Sequence, residues 1–398
     1  MRWVTWSVES LPARRITKPS EYTVLMQLRR KATFLFYMFL LIIASVFLVC
    51  TAYVHKTHNR WSPPLNKNGY AVLVLDEKIQ YWTGRIHASG ADKAYAELAI
   101  VIEMYPSQYQ HDEVHIFGDV LYRTEGLRGI STCDGRFGYA CFHSFMIRAL
   151  AEGGAASSQQ LYDICRQTLG ASSPECEHGI GHGLLATIKN DATIEDLSVA
   201  LSACDHLDPP SHPISGCAGG VFMEYLVKSM ASGGIDPRIL TKDNILEPCG
   251  SLRIDGYLSS CMYWLPMWWM LASPERNLDE VMAAKMGGWC VKAPSPDSLT
   301  ACIKGVANRM QLLTNEQPAL TEKICSMVTT DAALRYTCHT HAARRFTYYF
   351  SLQDALIACS GLPPKEEASC RIQATEESRL IRADQEKHRA APDSEHAI

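Results

Sequence analysis

Fourteen of the fifteen cysteines lie in seven close pairs along the 398-residue chain, and this regularity constrains the fold more than any other feature. Within a pair 7 to 12 residues intervene, and between pairs 20 to 31. The first cysteines of successive pairs recur every 32 to 45 residues, a period typical of stacked helical hairpins. The pairs are Cys133 with Cys141, Cys165 with Cys176, Cys204 with Cys217, Cys249 with Cys261, Cys290 with Cys302, Cys325 with Cys338 and Cys359 with Cys370.

The segments between the pairs have helical patterning. From Phe142 onward, apolar residues recur at i, i+3, i+4, i+7 and i+8, which places them on one helix face until Gly153 and Gly154 interrupt it. In the next unit, residues 193–196 read as a capping box that opens a second helix toward Cys204. Each unit therefore reads as a cysteine, a turn, a cysteine, a first helix, a short loop and a second helix. One such hairpin cannot bury its apolar face alone, but stacked neighbours can.

This arrangement resembles the secreted cysteine-rich Sel1-like helical repeat proteins, which carry one disulfide per α/α hairpin. The resemblance covers Cys133 to Cys370 as a pattern, although the present units are mostly longer and lack the glycine-rich signature of that family. It implies an architecture and no activity. Turns of about ten residues would bring the two cysteines of a pair together, so we predict one disulfide within each pair, each contributing roughly 3 kcal/mol by loop closure. We expect Cys50 to stay unpaired.

Residues 32–54 form an uncharged apolar run of about 23 residues, long enough to cross a bilayer as a helix. Basic residues crowd the preceding segment, which predicts a cytoplasmic N-terminus and an extracytoplasmic remainder. A cleaved signal peptide is the alternative, but the run is long for one and no A-x-A site follows it. Met26 is an alternative start.

The predicted location explains the cysteines, because disulfides persist in oxidising compartments. No N-x-[ST] sequon occurs in the sequence, which favours a bacterial periplasm. We therefore predict an all-α, single-pass membrane protein in which a signal-anchor helix precedes a disulfide-stapled α/α-hairpin repeat solenoid. The predicted segments are a cytoplasmic basic segment (1–31), the transmembrane signal anchor (32–54), a juxtamembrane linker (55–90), the helical repeat domain (91–370) and a charged tail (371–398).

The composition excludes some functions. A net charge of −4 argues against nucleic-acid binding, and an apolar fraction of 47% argues against wholesale disorder. The sequence contains no G-x-S-x-G, P-loop, G-x-G-x-x-G or H-E-x-x-H motif. Histidine is the remaining residue type that could form a catalytic or metal-binding site.

Two histidine pairs have a four-residue spacing, which places both imidazoles on one helix face. One pair is His178 and His182 after Cys176, and the other is His111 and His115. A further histidine, His143, follows Cys141 as His178 follows Cys176.

The alignment of His111 with His178 puts Tyr109 at a cysteine position, so we interpret this region as a capping unit without a disulfide. Three successive first helices would then present histidines to one transition-metal ion, zinc by ligand type. The alternative is that these histidines have structural or surface roles.

Other residues leave two interpretations open. Glu224 is either a carboxylate ligand or base, or a surface glutamate. His339 and His341 are out of register with the other histidines. Arg344 and Arg345 beside two tyrosines could bind an anion or could form a solvated helix face.

Two apolar features are equally ambiguous. The glycines at the third position after the second cysteine, Gly179, Gly220 and Gly305, indicate close helix packing. Residues 262–271 are apolar on every side, as expected either for a central buried helix or for an exposed patch that binds a partner or a membrane.

Two functions from different classes therefore stay open. The first is an extracytoplasmic binding or scaffold protein, whose partners would be the membrane through its anchor and a protein or small molecule on the repeat surface, with no nucleic acid. The second is a metal-dependent enzyme that uses the five histidines His111, His115, His143, His178 and His182.

Overall fold

The structure is a computed structural model that describes residue 38 and residues 67–170, 173–188, 193–231, 240–241, 243–252, 255–272 and 279–390. The helices from residue 67 onward belong to one compact unit, Ser62–Ile398. Its described part is all-α, as predicted, and contains no strand.

Seventeen α-helices of the described ranges are numbered here in chain order, with short 3₁₀ turns between some of them. They are α1 Lys67–Ala71, α2 Leu75–Ser89, α3 Ala91–Ile102, α4 Ser107–Glu125, α5 Ala140–Gly153, α6 Ser158–Leu169, α7 Ser173–Ala186, α8 Ile194–Asp205, α9 Cys217–Ala231, α10 Leu258–Ala272, α11 Glu280–Cys290, α12 Pro296–Ala307, α13 Met310–Leu313, α14 Thr321–Val328, α15 Ala332–Tyr349, α16 Leu352–Ala358 and α17 Pro364–Ala390.

All seven predicted disulfides are present, with Cα–Cα distances from 5.4 to 5.8 Å, and each joins the two cysteines of one pair. The bonds join Cys133 to Cys141, Cys165 to Cys176, Cys204 to Cys217, Cys249 to Cys261, Cys290 to Cys302, Cys325 to Cys338 and Cys359 to Cys370. No bond links distant units in the described part of the chain, so the pairing prediction is confirmed.

The cysteine pairs also mark the repeats as predicted. In the unit that follows the bond between Cys165 and Cys176, for example, α7 is the first helix and α8 is the second helix. The predicted capping box opens α8, where Thr193 accepts a hydrogen bond from the backbone of Asp196. A disulfide thus ties the end of one hairpin to the start of the next.

The first helices α4, α5, α7, α9, α10, α12 and α15 each pack against the next one in this order. α15 also packs against the 3₁₀ turn Arg136–Tyr139, which immediately precedes α5. The ring centroids of Tyr139 and Tyr348 lie 5.8 Å apart at this contact. The array therefore closes on itself, and residues distant in sequence face one another across its inner side.

Glycines at equivalent positions allow this close packing, which confirms the packing interpretation. A Cβ atom at Gly220 would lie 1.8 Å from the carbonyl oxygen of His178 on the preceding first helix. At Gly305 the corresponding distance, to the carbonyl oxygen of Tyr263, is 2.1 Å, and Gly179 meets a carbonyl of α5 in the same way. Only a residue without a side chain fits where two helix backbones approach so closely.

The apolar segment 262–271 lies within α10, between α9 and α12. Its side chains Leu265, Trp268 and Trp269 are fully or almost fully buried. The segment is therefore a central helix enclosed by both neighbours, as the first of the two interpretations held.

The packed helices extend beyond the predicted segment boundaries. Residues 75–89, assigned from the sequence to the linker, form α2, in which Trp82 and Ile86 are buried against the neighbouring helices. At the other end, the predicted boundary at residue 371 falls inside α17, which buries Ala374. Acidic residues in the first turn of α2, Asp76 and Glu77, are the sequence signal for this helix start.

The predicted transmembrane segment 32–54 lies outside the described residues except for Met38. Among the helices that are described, none is both long enough and apolar enough to cross a bilayer.

Candidate metal centre and cavity

The five histidines selected from the sequence lie together on three successive first helices. His111 and His115 project from α4, His143 from α5, and His178 and His182 from α7. The i, i+4 spacing puts each pair on one helix face, and the repeat register brings the three faces together. The ring centroid of His143 lies 5.4 Å from that of His115 and 4.7 Å from that of His182, so His143 stands between the two pairs.

Within each pair, the Nε2 atoms face each other. They lie 3.1 Å apart in His111 and His115, and 3.2 Å apart in His178 and His182. Two nitrogens bound to one tetrahedral metal at about 2.05 Å would be about 3.3 Å apart. Each pair therefore already has the separation that two ligands of one metal ion require.

Hydrogen bonds on the far side of two rings fix their tautomers. His182 donates from Nδ1 to Oε2 of Glu224 over 2.8 Å, and His111 donates from Nδ1 to the carbonyl oxygen of Phe137 over 2.7 Å. Each bond leaves a lone pair on Nε2, inside the cluster. Histidine ligands commonly have such a carboxylate or carbonyl partner, which orients the ring toward the metal.

Burial favours the neutral form of four of the five histidines. It lowers the pKa of His111 to about 4, and the charges of Arg345 and His182 act in the same direction, against the Phe137 carbonyl. Burial also lowers the pKa of His115, His143 and His178 well below the ordinary value, and in each case a neighbouring histidine adds to this effect. Neutral imidazoles are the form that binds metal.

The donor set fits a metal ion at either of two places. One ring nitrogen from each of His111, His115 and His143 lies within 4.8 Å of the others, and the same holds for His143, His178 and His182. Nδ1 of His143 is buried and has no hydrogen-bond partner in the described part of the chain. A buried nitrogen without a partner is costly, and a metal ion would satisfy it.

The triad His143, His178 and His182 is buried throughout. Sδ of Met223, on α9, lies 3.4 Å from Nε2 of His178 and adds a soft potential ligand. The ring of Trp264 lies 5.0 Å from that of His178, centroid to centroid, and forms an apolar wall beside it.

The cluster opens onto a cavity of about 160 Å³ inside the ring of first helices. Its volume is similar to the roughly 150 Å³ of an engineered cavity that admits benzene, so a small molecule fits. The lining comes from units far apart in sequence: His111, Gly138, Tyr139, His143, Glu175, His178, Ser215, Met223, Tyr263, Trp264, Met267, Asn308, Arg309, Gln311, Leu312, His341, Arg344, Arg345, Tyr348 and Tyr349.

Two charged residues of the cavity wall have shifted pKa values. Burial raises the pKa of Glu175 to about 7, although the charges of Arg344 and Arg345 oppose the shift. Burial also lowers the pKa of Arg309 to about 10, and the positive charge of Arg345 adds to this effect. A carboxyl group with a pKa near neutrality can both accept and donate a proton under physiological conditions.

The remaining candidates from the sequence have different positions. Glu224 is largely buried and supports His182 as a hydrogen-bond acceptor. His339 is fully buried and bonds to Ala358 and Glu322, away from the cluster, in a structural role. His341 lines the cavity, and its Nε2 lies 2.9 Å from the hydroxyl oxygen of Tyr263.

Sequence reasoning missed the cavity and therefore Glu175, Arg309 and Tyr263. A sequence signal existed for Glu175, which directly precedes Cys176 at the start of a first helix that carries two histidines. No local pattern distinguishes Arg309 or Tyr263, which reach the site only because the array closes. Arg344 and Arg345 were considered as anion ligands, and both line the cavity.

Comparison with protein-family models, with curated protein sequences and with solved structures found no match to this chain. In the described part of the chain, the structure itself shows a disulfide-linked helical repeat array. This array encloses a buried histidine cluster able to hold a metal ion.

Proposed function

We propose that this protein binds one transition-metal ion in its histidine cluster and presents it to a small molecule in the adjacent cavity. The observation that carries the proposal is the convergence of five histidines from three consecutive repeats, with two triads that share His143. Purely structural histidines would need hydrogen-bond partners of their own, whereas Nδ1 of His143 has none among the described residues.

The triad His143, His178 and His182 is the proposed primary site. Its members are more buried than His111 and His115, and Glu224 supports His182 as carboxylates commonly support metal-bound histidines. Zinc is the proposed metal, because neutral imidazoles in a tetrahedral arrangement are its usual ligands. Copper(I) is the competing metal, because the thioether sulfur of Met223 is a soft ligand of the kind that copper(I) prefers.

The proposed setting is extracytoplasmic. Seven disulfides support an oxidising compartment. The uncharged segment 32–54 with basic residues before it supports a single-pass anchor in a bacterial inner membrane, with the repeats on the periplasmic side. A small molecule in the cavity and the membrane are the proposed partners, and the negative net charge gives no support to nucleic acid.

The test is the metal content of full-length protein, purified without a histidine tag and loaded in turn with zinc, copper and iron. Elemental analysis should find about one zinc ion per chain, and His143→Ala, which removes the histidine that both triads share, should lose it. His339→Ala removes a buried histidine outside the cluster and should retain the metal. Wild-type protein that holds no metal after loading, or equal metal loss in both variants, would return the cluster to a structural role.

A metal-dependent enzyme is a second candidate, and Glu175 is the observation that favours it. Its carboxyl group lies in the cavity wall with a pKa of about 7, as expected for a general base. Hydrolysis of a chromogenic ester or phosphate ester by the zinc-loaded protein would support this candidate if Glu175→Gln abolished it without changing the metal content. Equal rates for the two proteins would leave metal and ligand binding as the function.

A further inference from the structure

The charged side chains of the cavity wall are predominantly cationic. Of the residues that the structure describes, three arginines line the cavity, Arg309, Arg344 and Arg345, against the one carboxylate of Glu175. The inside of the repeat array therefore carries excess positive charge in a confined space.

Among the described residues, only one of the three arginines has a carboxylate within ion-pair distance. Nε of Arg344 lies 3.1 Å from Oε1 of Glu377. Arg309 is 6% exposed, and its side chain has no ion pair or hydrogen bond within the described part of the chain. It lies beside Trp264, whose ring centroid is 5.8 Å from the guanidinium carbon.

Arg345 is in a similar position. Its guanidinium carbon stacks 3.8 Å from the ring centroid of Tyr349, and its Nε is buried without a hydrogen-bond partner in the residues that the structure describes. Arg309 and Arg345 also repel each other, since the charge of Arg345 lowers the pKa of Arg309. Arg309 is buried and Arg345 is partly buried. A buried charge without a partner is strongly unfavourable, and a perturbed charged group in a cavity is a candidate for a binding site.

We propose that this cavity binds a small organic anion whose carboxylate or phosphate oxygens are held by Arg309 and Arg345. Guanidinium groups bind both kinds of oxyanion through paired N–H donors. The aromatic walls formed by Trp264 and Tyr349 accommodate the body of such a ligand, and the volume limits it to about the size of a substituted benzene ring. The inference rests on the proposed function only in taking this cavity as the ligand site.

The probes are benzoate, phenyl phosphate and inorganic phosphate, with benzamide as the neutral molecule of matched shape. Binding to the full-length protein is measured by calorimetry in metal-free and zinc-loaded forms. We expect benzoate or phenyl phosphate to bind at least tenfold more tightly than benzamide in both forms. The preferred probe distinguishes a carboxylate from a phosphate ligand, and tight binding of inorganic phosphate would show that the phosphate group alone suffices.

Arg309→Gln and Arg345→Gln should each weaken binding of the preferred anion at least tenfold. Arg379→Gln is the matched control, because Arg379 is exposed and pairs with Glu376 on α17, outside the cavity, and it should bind as the wild type does. In anion-free buffer Arg309→Gln should also melt at a higher temperature than the wild type, since it removes an unpaired buried charge.

Equal affinities for benzoate and benzamide with no binding of either phosphate probe would overturn the inference, as would unchanged anion binding in both arginine variants. An Arg309→Gln chain that failed to fold would assign Arg309 a structural role and also overturn it. Anion binding confined to the zinc-loaded form and insensitive to both substitutions would make the metal the anion receptor. The proposed metal function would then stand while this inference failed, and a protein that bound anions but no metal would show the reverse.

Discussion

Nδ1 of His182 on α7 lies 2.8 Å from Oε2 of Glu224 on α9, so one hydrogen bond joins two repeats and sets the direction of a candidate metal ligand. With the proton on Nδ1, the lone pair of Nε2 points at His178 and into the cluster. Glu224 therefore acts on the site through His182, which it orients, and does not need to contact the metal itself.

Removing the charge of Glu224 should accordingly weaken metal binding without abolishing it. In Glu224→Gln the amide still accepts a hydrogen bond from His182, but the imidazole becomes less basic. Loss of such carboxylate partners costs roughly 10- to 100-fold in metal affinity, and we expect a loss in this range in competition titrations with a zinc chelator. Glu152→Gln, at an exposed position on α5, should leave the affinity unchanged. Equal affinities for the two variants would show that Glu224 does not act through His182.

Close packing of α7 and α9 holds this pair together, and Gly220 makes it possible. A Cβ atom there would lie 1.8 Å from the carbonyl oxygen of His178, so Gly220→Ala must push the two helices apart. We expect a loss of about 2 kcal/mol or more in the free energy of unfolding by urea, together with weaker metal binding.

Gly288→Ala on α11 is the control for helix propensity, because its Cβ would meet nothing within 4 Å. It should gain up to about 1 kcal/mol, since alanine favours helix over glycine. Similar free energies of unfolding for Gly220→Ala and the wild type would show that α7 and α9 move apart without loss of stability.

The local features of this fold were predictable, because they depend on short spacings. The four-residue interval between His178 and His182 determines that they share a helix face, and the interval between paired cysteines determines that they meet across a turn. The same register argument placed His143 correctly between two histidine pairs although no motif contains all five residues.

The cavity was not predictable, because it depends on the curvature of the whole array. α15 meets the turn before α5, and this contact brings His341 and Arg345 to the same cavity as His143. The sequence of a single unit contains no signal for this long-range contact. The helix α2 was missed for a different reason, since it lies inside the segment 55–90 that was assigned as a whole to a linker, although Asp76 and Glu77 indicate a helix start.

The stability of the metal-free protein should fall as the pH is lowered from about 6.5 toward 4. His111, His115, His143 and His178 have lowered pKa values in the folded chain, so in this range the unfolded chain binds more protons. Each imidazole protonated only in the unfolded chain contributes about 1.4 kcal/mol per pH unit to this loss. Glu175 acts in the opposite direction, because its raised pKa means that the folded chain binds more protons, but it is one group against these four and against His212 and His341, whose pKa values burial also lowers.

Urea unfolding of the metal-free protein at several pH values between 4 and 7 measures this dependence. His115→Gln should flatten the curve, since it removes one of the buried imidazoles. His206→Gln alters an exposed histidine at the end of α8 and should leave the slope as it is in the wild type. A stability that stayed constant or rose as the pH fell would contradict the burial argument.

The disulfides offer a test that separates stability from site geometry. The bond between Cys204 and Cys217 spans a sequence separation of 13 and holds the start of α9, which carries Met223 and Glu224 to the cluster. The bond between Cys359 and Cys370 spans a separation of 11 and holds α17, which carries no histidine of the cluster. By loop entropy each bridge contributes about 3 kcal/mol, so replacing either pair by alanine should destabilise the protein to a similar extent.

Metal affinity should distinguish the two double variants. C204A/C217A should lower the free energy of unfolding and also weaken zinc binding severalfold, because α9 is no longer fixed against α7. C359A/C370A should lose similar stability, while the zinc affinity measured well below its melting temperature should match the wild type. Loss of zinc affinity in both variants to the same degree would show that the cluster depends on the integrity of the whole array. Unchanged affinity in both would show that helix packing, with Gly220 against His178, holds the site without help from the adjacent disulfide.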